Sequence, residues 1–223
     1  MKIIIGIQAR TNSTRLPGKI YKPWADSTIL ETIFKTCSTV NVLSNAVKTS
    51  TVILGPENDT ELLKFCQDNK LSCVLPKGVG ENDLVGRFLH VIDEAKADAM
   101  IRVTSDCPYL HAEMIARAIV SLTEVDYTSN TIVRTYPEGQ DVQGASARLW
   151  RRINEWSQSP EDREHPFAYF DQNDHLRKLL GDEGFKMRFI LNDQNPVLMK
   201  TSIDTPQEYE NLKPKKNGPQ KIA

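Results

Sequence analysis

The first hundred residues alternate between two periodicities, and no other feature restricts the fold as much. "KIIIGIQ" (2–8) is a short apolar run rich in β-branched residues and predicts a buried strand. "ADSTILETIFKTCSTV" (25–40) then places Ile29, Ile33 and Cys37, with Leu30 and Phe34 beside them, at helical spacing. Thr28 with Glu31 makes a capping box near the start of that helix. The pattern repeats: strand "TSTVILG" (49–55), helix "NDTELLKFCQDNK" (58–70) capped by Asn58 or Asp59, strand "LSCVLP" (71–76), helix "ENDLVGRFLHVIDEAKA" (81–97), strand "DAMIRVTSD" (98–106). Strands joined by helical crossovers lie parallel, and the crossovers are right-handed. The expectation is an α/β fold with a doubly wound, mostly parallel sheet, whose ligands gather at the carboxyl ends of the strands.

After residue 107 the pattern loosens. "HAEMIARAIVSLT" (111–123) is one more helix, and 126–175 reads as polar, aromatic and irregular, with "YPEGQD" as a turn. Strands are expected again at "FKMRFIL" (185–191) and "VLMKTSID" (197–204), and a helix at "TPQEYENL" (205–212), with Thr205 as N-cap and Glu208 closing a capping box. This gives one domain over 1–212, with a lobe at about 126–180, and a flexible basic tail over 213–223.

The 223 residues carry 28 Lys and Arg against 29 Asp and Glu, a net charge of −1. A chain so balanced has no overall pull toward nucleic acid or an anionic membrane, and no run approaches the ~18 apolar residues of a membrane span. The opening residues lack the make-up of a signal peptide. Cys37, Cys66, Cys73 and Cys107 form no C-x-x-C pair and read as reduced, packed thiols of a cytoplasmic protein.

Against that neutral background, "QARTNSTRLPGK" (8–19) is conspicuous. Arg10, Arg15 and Lys19 crowd a loop that follows the first strand at once. Such a loop presents unpaired N–H groups, and added Arg and Lys make it a clamp for phosphate. It is neither of two familiar phosphate loops. Gly18-Lys19 is followed by Ile20, with Ser13 where a P-loop has its first Gly, and G-x-G-x-x-G is absent. Two acids lie on the same expected edge: Asp106 in "RVTSDCP" and Asp204 in "SIDTP". Either alone reads as a turn or cap residue, although Thr205 already fits the cap after Asp204. Together, facing a triphosphate, they suggest Mg²⁺, which prefers one or two carboxylates plus phosphate oxygens and water.

The same stretches carry a resemblance. "QARTNSTRLPGK" is similar to the signature Q-A-R-x-x-S-T-R-L-P-G-K of the cytidylyltransferase family that contains the spore-coat polysaccharide protein SpsF, more distantly related to the synthetases that make CMP-activated Kdo and sialic acids. "NDLVGRF", "IRVTSDCPYL", "DYTSNTIVRTYPEGQDVQ", "REHPFAYF" and "SIDTPQEYE" resemble further stretches of that family, so the likeness runs over about residues 2–212. It implies a GT-A-like nucleotidyltransferase fold, with an acceptor or dimerisation lobe, that transfers CMP from CTP to an acidic sugar or a phosphorylated small molecule, with Mg²⁺ as cofactor. Carried onto matching positions, Ala9, Arg10, Ser13, Arg15 and Lys19 hold the triphosphate, with Arg10 and Lys19 also catalytic. Asp83 and Arg87 lie near the nucleoside, and Asp106 and Asp204 hold the metal. Asn130, Arg134, Asp141, Gln143, Arg163 and His165 face the acceptor. The chain departs from the pattern at Gln143, where the family usually has Glu, and at "HPFAY", where it has H-V-T-x-Y.

Other readings remain open on the letters. The chain can be a nucleotide-binding partner without catalysis, or a GT-A glycosyltransferase, which expects a D-x-D pair where "SDC" offers one acid. Trp150, Trp156, Phe167, Tyr169 and Phe170 suit a sugar pocket, core packing or a homodimer interface alike. His165 can be catalytic or a hydrogen-bonded loop residue. His90, His111 and His175 lack metal-site spacing, and Cys107 has no base assigned to it.

Overall fold

The computed structural model describes residues 1–40, 46–168, 170, 178, 180–192 and 199–214. Tyr169, His175, the start of the expected strand at 197 and the tail from 215 lie outside them. The strands are β1 (Lys2–Gln8), β2 (Pro23–Trp24), β3 (Ser27–Thr28), β4 (Lys48–Leu54), β5 (Cys73–Val74), β6 (Ala99–Thr104), β7 (Tyr127–Ser129), β8 (Gln143–Ser146) and β9 (Met187–Phe189). The helices are α1 (Ile29–Ser38), α2 (Thr60–Asp68), α3 (Leu84–Ala95), α4 (Ala112–Leu122), α5 (Ala147–Trp156), α6 (Pro160–Glu164) and α7 (Pro206–Leu212).

Seven strands form one sheet in the order β5-β4-β1-β6-β8-β7-β9, and β2 and β3 make a small separate hairpin. Every neighbouring pair is parallel except those made by β8, which runs against both β6 and β7. The sheet is therefore mostly parallel and α/β, as the alternating periods require.

Helices cover both faces, and β1 shows how the sequence directs this. Its run of isoleucines is buried on both sides, so alternate residues enter different cores. Ile3, Ile5 and Ile7 pack with Ile29, Leu30 and Ile33 of α1 and Met114 and Ile115 of α4. Ile4 packs with Val52, Met100, Phe88 of α3 and Trp150 of α5. Phe88 and Trp150 stack with their ring centres 4.8 Å apart. Burying a side chain of this size stabilises the fold by about 1.5–3 kcal/mol. Trp150, Phe167 and Phe170 are fully buried in that second core. Among the expected uses of the aromatic group, these three residues serve packing.

The helix starts follow the predicted chemistry. Thr28 and Glu31 close the expected capping box, Asp59 rather than Asn58 caps α2, Asp83 caps α3, and Thr205 with Glu208 caps α7. The largest departure lies from residue 126. The stretch read as irregular contains β7, β8, α5 and α6, and β8 sits in the middle of the sheet. "QGAS" lacks the β-branched residues that mark a strand because it is closely covered. A Cβ on Gly144 would lie 2.9 Å from Leu122 Cδ1 and 3.2 Å from Ile101 Cγ1. Residues 199–204 do not extend as a strand either. Lys200 makes one isolated bridge to Glu138, and Ile203 donates its backbone N–H to Asp106 O at 2.8 Å. Among the described residues no helix is long and apolar enough to cross a membrane.

Candidate active site

The carboxyl ends of β1 and β6 lie side by side, with Gln8 opposite Thr104 in register. The cationic loop leaves β1 at that edge and is tied down at its base. Ala9 donates its backbone N–H to Leu54 O at 3.1 Å. Thr11 donates through both its backbone N–H and its hydroxyl to the carboxylate of Asp59, each at 2.7 Å. Gly18 closes the loop in the left-handed region at φ +62°, a conformation that disfavours side chains, and Lys19 opens a single helical turn, Lys19–Tyr21.

That turn carries Lys19 to the two acids named from sequence. Its ammonium lies 3.3 Å from Asp106 Oδ2 and 3.3 Å from Asp204 Oδ1, and donates to Ile203 O at 3.1 Å. Arg15 reaches Asp204 Oδ1 from the other side at 2.9 Å. One cation therefore sits between two carboxylates that lie far apart in the chain, one near its middle and one near its end. Burial pushes the Asp106 carboxyl up, but the Lys19 charge and hydrogen bonds from Thr104, Cys107 and Lys19 more than reverse it, leaving it below its usual range. Burial pushes the neighbouring Cys107 thiol well up, so it stays protonated and donates to Asp106 Oδ1 at 3.3 Å, which leaves no thiolate nucleophile.

Two clefts open on these acids. The first, of about 280 Å³, is lined by Ala9, Arg10, Ser13, Arg15, Lys19 and Arg87, with Glu81, Glu164 and His165 closing its far wall. The second, of about 260 Å³, is lined by Thr131, Arg134, Glu138, Gly139, Asp141 and Gln143. Arg102, Thr104, Asp106 and Asp204 line both.

The structure sorts the remaining candidates. Arg134 grips Asp141 with two hydrogen bonds of 2.8 and 3.2 Å on the second cleft. Asn130, expected on the acceptor side, is buried and reaches neither cleft. Its amide donates to Gln140 O at 2.7 Å and accepts from Val142 N at 2.9 Å, which closes the loop between β7 and β8. Arg163 lies away from the second cleft, paired with Asp83 at 2.8 Å, so that it joins α6 to the cap of α3. His165 is on the first cleft. Asp83 lines neither cleft. Arg87 donates to Glu81 O at 2.5 Å, while its buried Nε has no partner. Burial, then repulsion by Arg10, lowers the Arg87 pKa.

Sequence reasoning passed over Arg102 and Asp59. The signal for Arg102 was present: a cation in the middle of "AMIRVT", an otherwise apolar strand, needs a reason. Asp59 was seen as a cap but not as the anchor of the cationic loop.

A family model described as cytidylyltransferase matches residues 3–217, a span that includes both clefts. The chain belongs to the cytidylyltransferase family. The spore coat polysaccharide biosynthesis protein SpsF of Bacillus subtilis is 24% identical over 216 residues, 95% of this chain and 85% of that protein. Among solved structures, a cytidylyltransferase from Leptospira borgpetersenii superposes with a TM-score of 0.78 at 27% identity, covering 95% of this chain and 85% of that one. A CMP-2-keto-3-deoxy-manno-octonic acid synthetase solved with CTP has the same fold, with a TM-score of 0.65 at 14% identity over 95% of this chain and 97% of that one. As a cytidylyltransferase, the chain is a CTP-dependent nucleotidyltransferase, and its cationic loop, Asp106 and Asp204 all fall within the matched span.

Proposed function

We propose that this cytidylyltransferase transfers CMP from CTP to a small acceptor that is an acidic sugar or carries a phosphate, releasing pyrophosphate with Mg²⁺ as cofactor. One observation carries the reading: a cation-lined cleft and a second, mixed-charge cleft meet at Asp106 and Asp204, the two carboxylates that Lys19 bridges. Transfer between two substrates needs such a junction, because the attacking oxygen and the leaving group approach one phosphorus from opposite sides.

In this reading Arg10, Arg15 and Lys19 hold the triphosphate in the first cleft. An acceptor oxygen in the second cleft attacks the α-phosphorus in line. The new P–O bond forms as the bond to the β-phosphate oxygen breaks, and the electron pair leaves with pyrophosphate. Lys19 and Arg10 neutralise the charge that develops there. Preorganised donors of this kind contribute about 3–4 kcal/mol each to the transition state. Asp83 and Arg163 brace the wall beside Arg87, where the nucleoside lies.

The residues fit a divalent ion. Asp106 and Asp204 already converge on one cation, the Lys19 ammonium, and a pair of carboxylates opening onto a phosphate site suits Mg²⁺ better than an all-protein cage. Asp106 and Asp204 would hold it, and it would supply charge neutralisation at the α-phosphate and a lower pKa for the acceptor hydroxyl.

Pyrophosphate release tests the proposal, measured for four nucleoside triphosphates against nonulosonates, sugar phosphates and small phosphorylated metabolites. Turnover confined to CTP with an anionic acceptor, and abolished by EDTA, is expected. Equal rates with UTP, or full activity in EDTA, would contradict the reading.

A further inference from the structure

Arg102 stands where the two clefts meet, and its charge has no direct counter-ion. It lies on β6, opposite Gln143 of β8 in register. Its Nε donates to Gln8 Oε1 at 3.0 Å and its Nη1 to Gln143 Oε1 at 2.6 Å. Both partners are neutral amides. Among the described residues Arg102 makes no ion pair, and no hydrogen bond is made by its Nη2. The nearby acids are engaged elsewhere: Asp106 with Lys19, and Asp141 with Arg134 in a two-pronged pair. The second cleft thus has one arginine that is ion-paired and one on which Asp106 and Asp141 act only from beyond contact.

Gln143 makes this arrangement hold. Its Nε2 donates to Thr131 Oγ1 at 3.3 Å, which turns Oε1 toward the guanidinium. Arg can only donate, so the orientation is fixed from both sides. A carboxylate at 143 would also accept from Arg102, but as an ion pair that cancels its charge. An amide fixes the guanidinium and leaves the charge available.

We propose that Arg102 is a specificity-determining receptor for an oxyanion of the acceptor, a carboxylate or phosphate group, and that Gln143 keeps it available. This rests on the transfer reading above and names the chemical group that the second cleft recognises.

Calorimetric titrations test it. The unaltered protein is first titrated with CTP in the presence of magnesium chloride. It is then saturated with CTP, so that the first cleft is filled, and titrated with inorganic phosphate or with pyruvate. Binding of at least one anion is expected, and the preferred one tells a phosphorylated acceptor from a carboxylate acceptor. Gln143→Glu and Arg102→Gln are expected to weaken that binding at least tenfold. A thermal melt of Gln143→Glu that matches the parent shows that its loss of anion binding does not come from unfolding. Binding to Gln143→Glu as tight as to the parent, or no anion binding by the parent, overturns the role of Arg102. Failure of CTP itself to bind the parent overturns the nucleotide reading, and the Arg102 role falls with it.

Discussion

The two clefts differ in how they hold their charges. In the first, Arg10 and Arg87 make no ion pair among the described residues, and Arg87 carries an unpartnered buried Nε beside Glu81 O. In the second, Arg134 is matched two-pronged by Asp141, and Lys200 lies 3.9 Å from Glu138. The first is a standing field for a polyanion, expensive in mutual repulsion until ligand arrives. The second is lined by Arg102 and Arg134 against Asp106, Glu138, Asp141 and Asp204, an excess of acids, so it recognises by geometry and by whichever cation is left unpaired. A crowded cationic set tolerates little tuning, while a mixed set changes character with a single amide-for-acid exchange.

The sharpest way to break the contrast is Lys19→Ala. Among the described residues Lys19 is the one cation that touches both shared acids, and its loss is expected to lower turnover by roughly 10²–10³, the scale of other preorganised donors. Pyrophosphate release gives the rate and a thermal melt the fold. Activity within a factor of three of the parent would mean that the first cleft is not the phosphate site.

Asp59→Ala comes next. It removes the two bonds from Thr11 to Asp59, leaving only the one to the Tyr21 hydroxyl among its side-chain bonds, together with the α2 cap, and caps contribute about 0.5–2 kcal/mol. The KM for CTP is expected to rise several-fold, more than kcat falls, because the loop keeps its charges but loses its position. An unchanged KM in steady-state kinetics would show that the loop needs no anchor.

Arg134→Ala should show the reverse pattern, with a several-fold rise in acceptor KM and little change for CTP. A larger effect on CTP than on the acceptor would erase the division between the clefts.

The smallest effect concerns Glu208. Its hydrogen bond from Lys200, with help from the backbone N–H groups of Asp204 and Thr205, holds its carboxyl down at about 2. A depressed carboxyl contributes stability above its unfolded value of 4.5, lost as pH falls toward about 2. The pair is largely solvent-exposed, so Glu208→Ala is expected to lower Tm by only about 2 °C at pH 7. That gap should shrink below pH 4. A gap that grows in acid would contradict the assignment.

Much of the first region was legible because its rules are local. β1 announces itself by an unbroken apolar run, and capping boxes at Thr28 and Thr205 fix two helix starts to the residue. The cationic loop and both acids could be named because charge at a strand end has few uses. The second region obeys tertiary rules instead. β7 and β8 are three and four residues long, and what suits Gly144 to its place is Leu122 and Ile101 overhead, far away in sequence. Asn130 looks like a recognition residue until its amide is found closing a loop. Arg102 gains its meaning only from Gln8 and Gln143, which lie 94 and 41 positions away.

The reversed direction of β8 has a consequence for how the second cleft is tied to the shared acids. Because β7 and β8 are antiparallel neighbours, the segment from 130 to 142 leaves the sheet and returns to it at adjacent points, and Asn130 buttons its two ends together. It carries Arg134, Glu138 and Asp141 as one uninterrupted cassette. It is also tied to the stretch that delivers Asp204: Thr201 donates its backbone N–H and its hydroxyl to Glu138 O at 2.6 and 2.9 Å, and a side chain on Gly139 would run into the backbone of Thr201 and Ser202. A change in this cassette is therefore felt at Asp204 through Thr201 and Ser202, so the second cleft and one of the two shared acids move together.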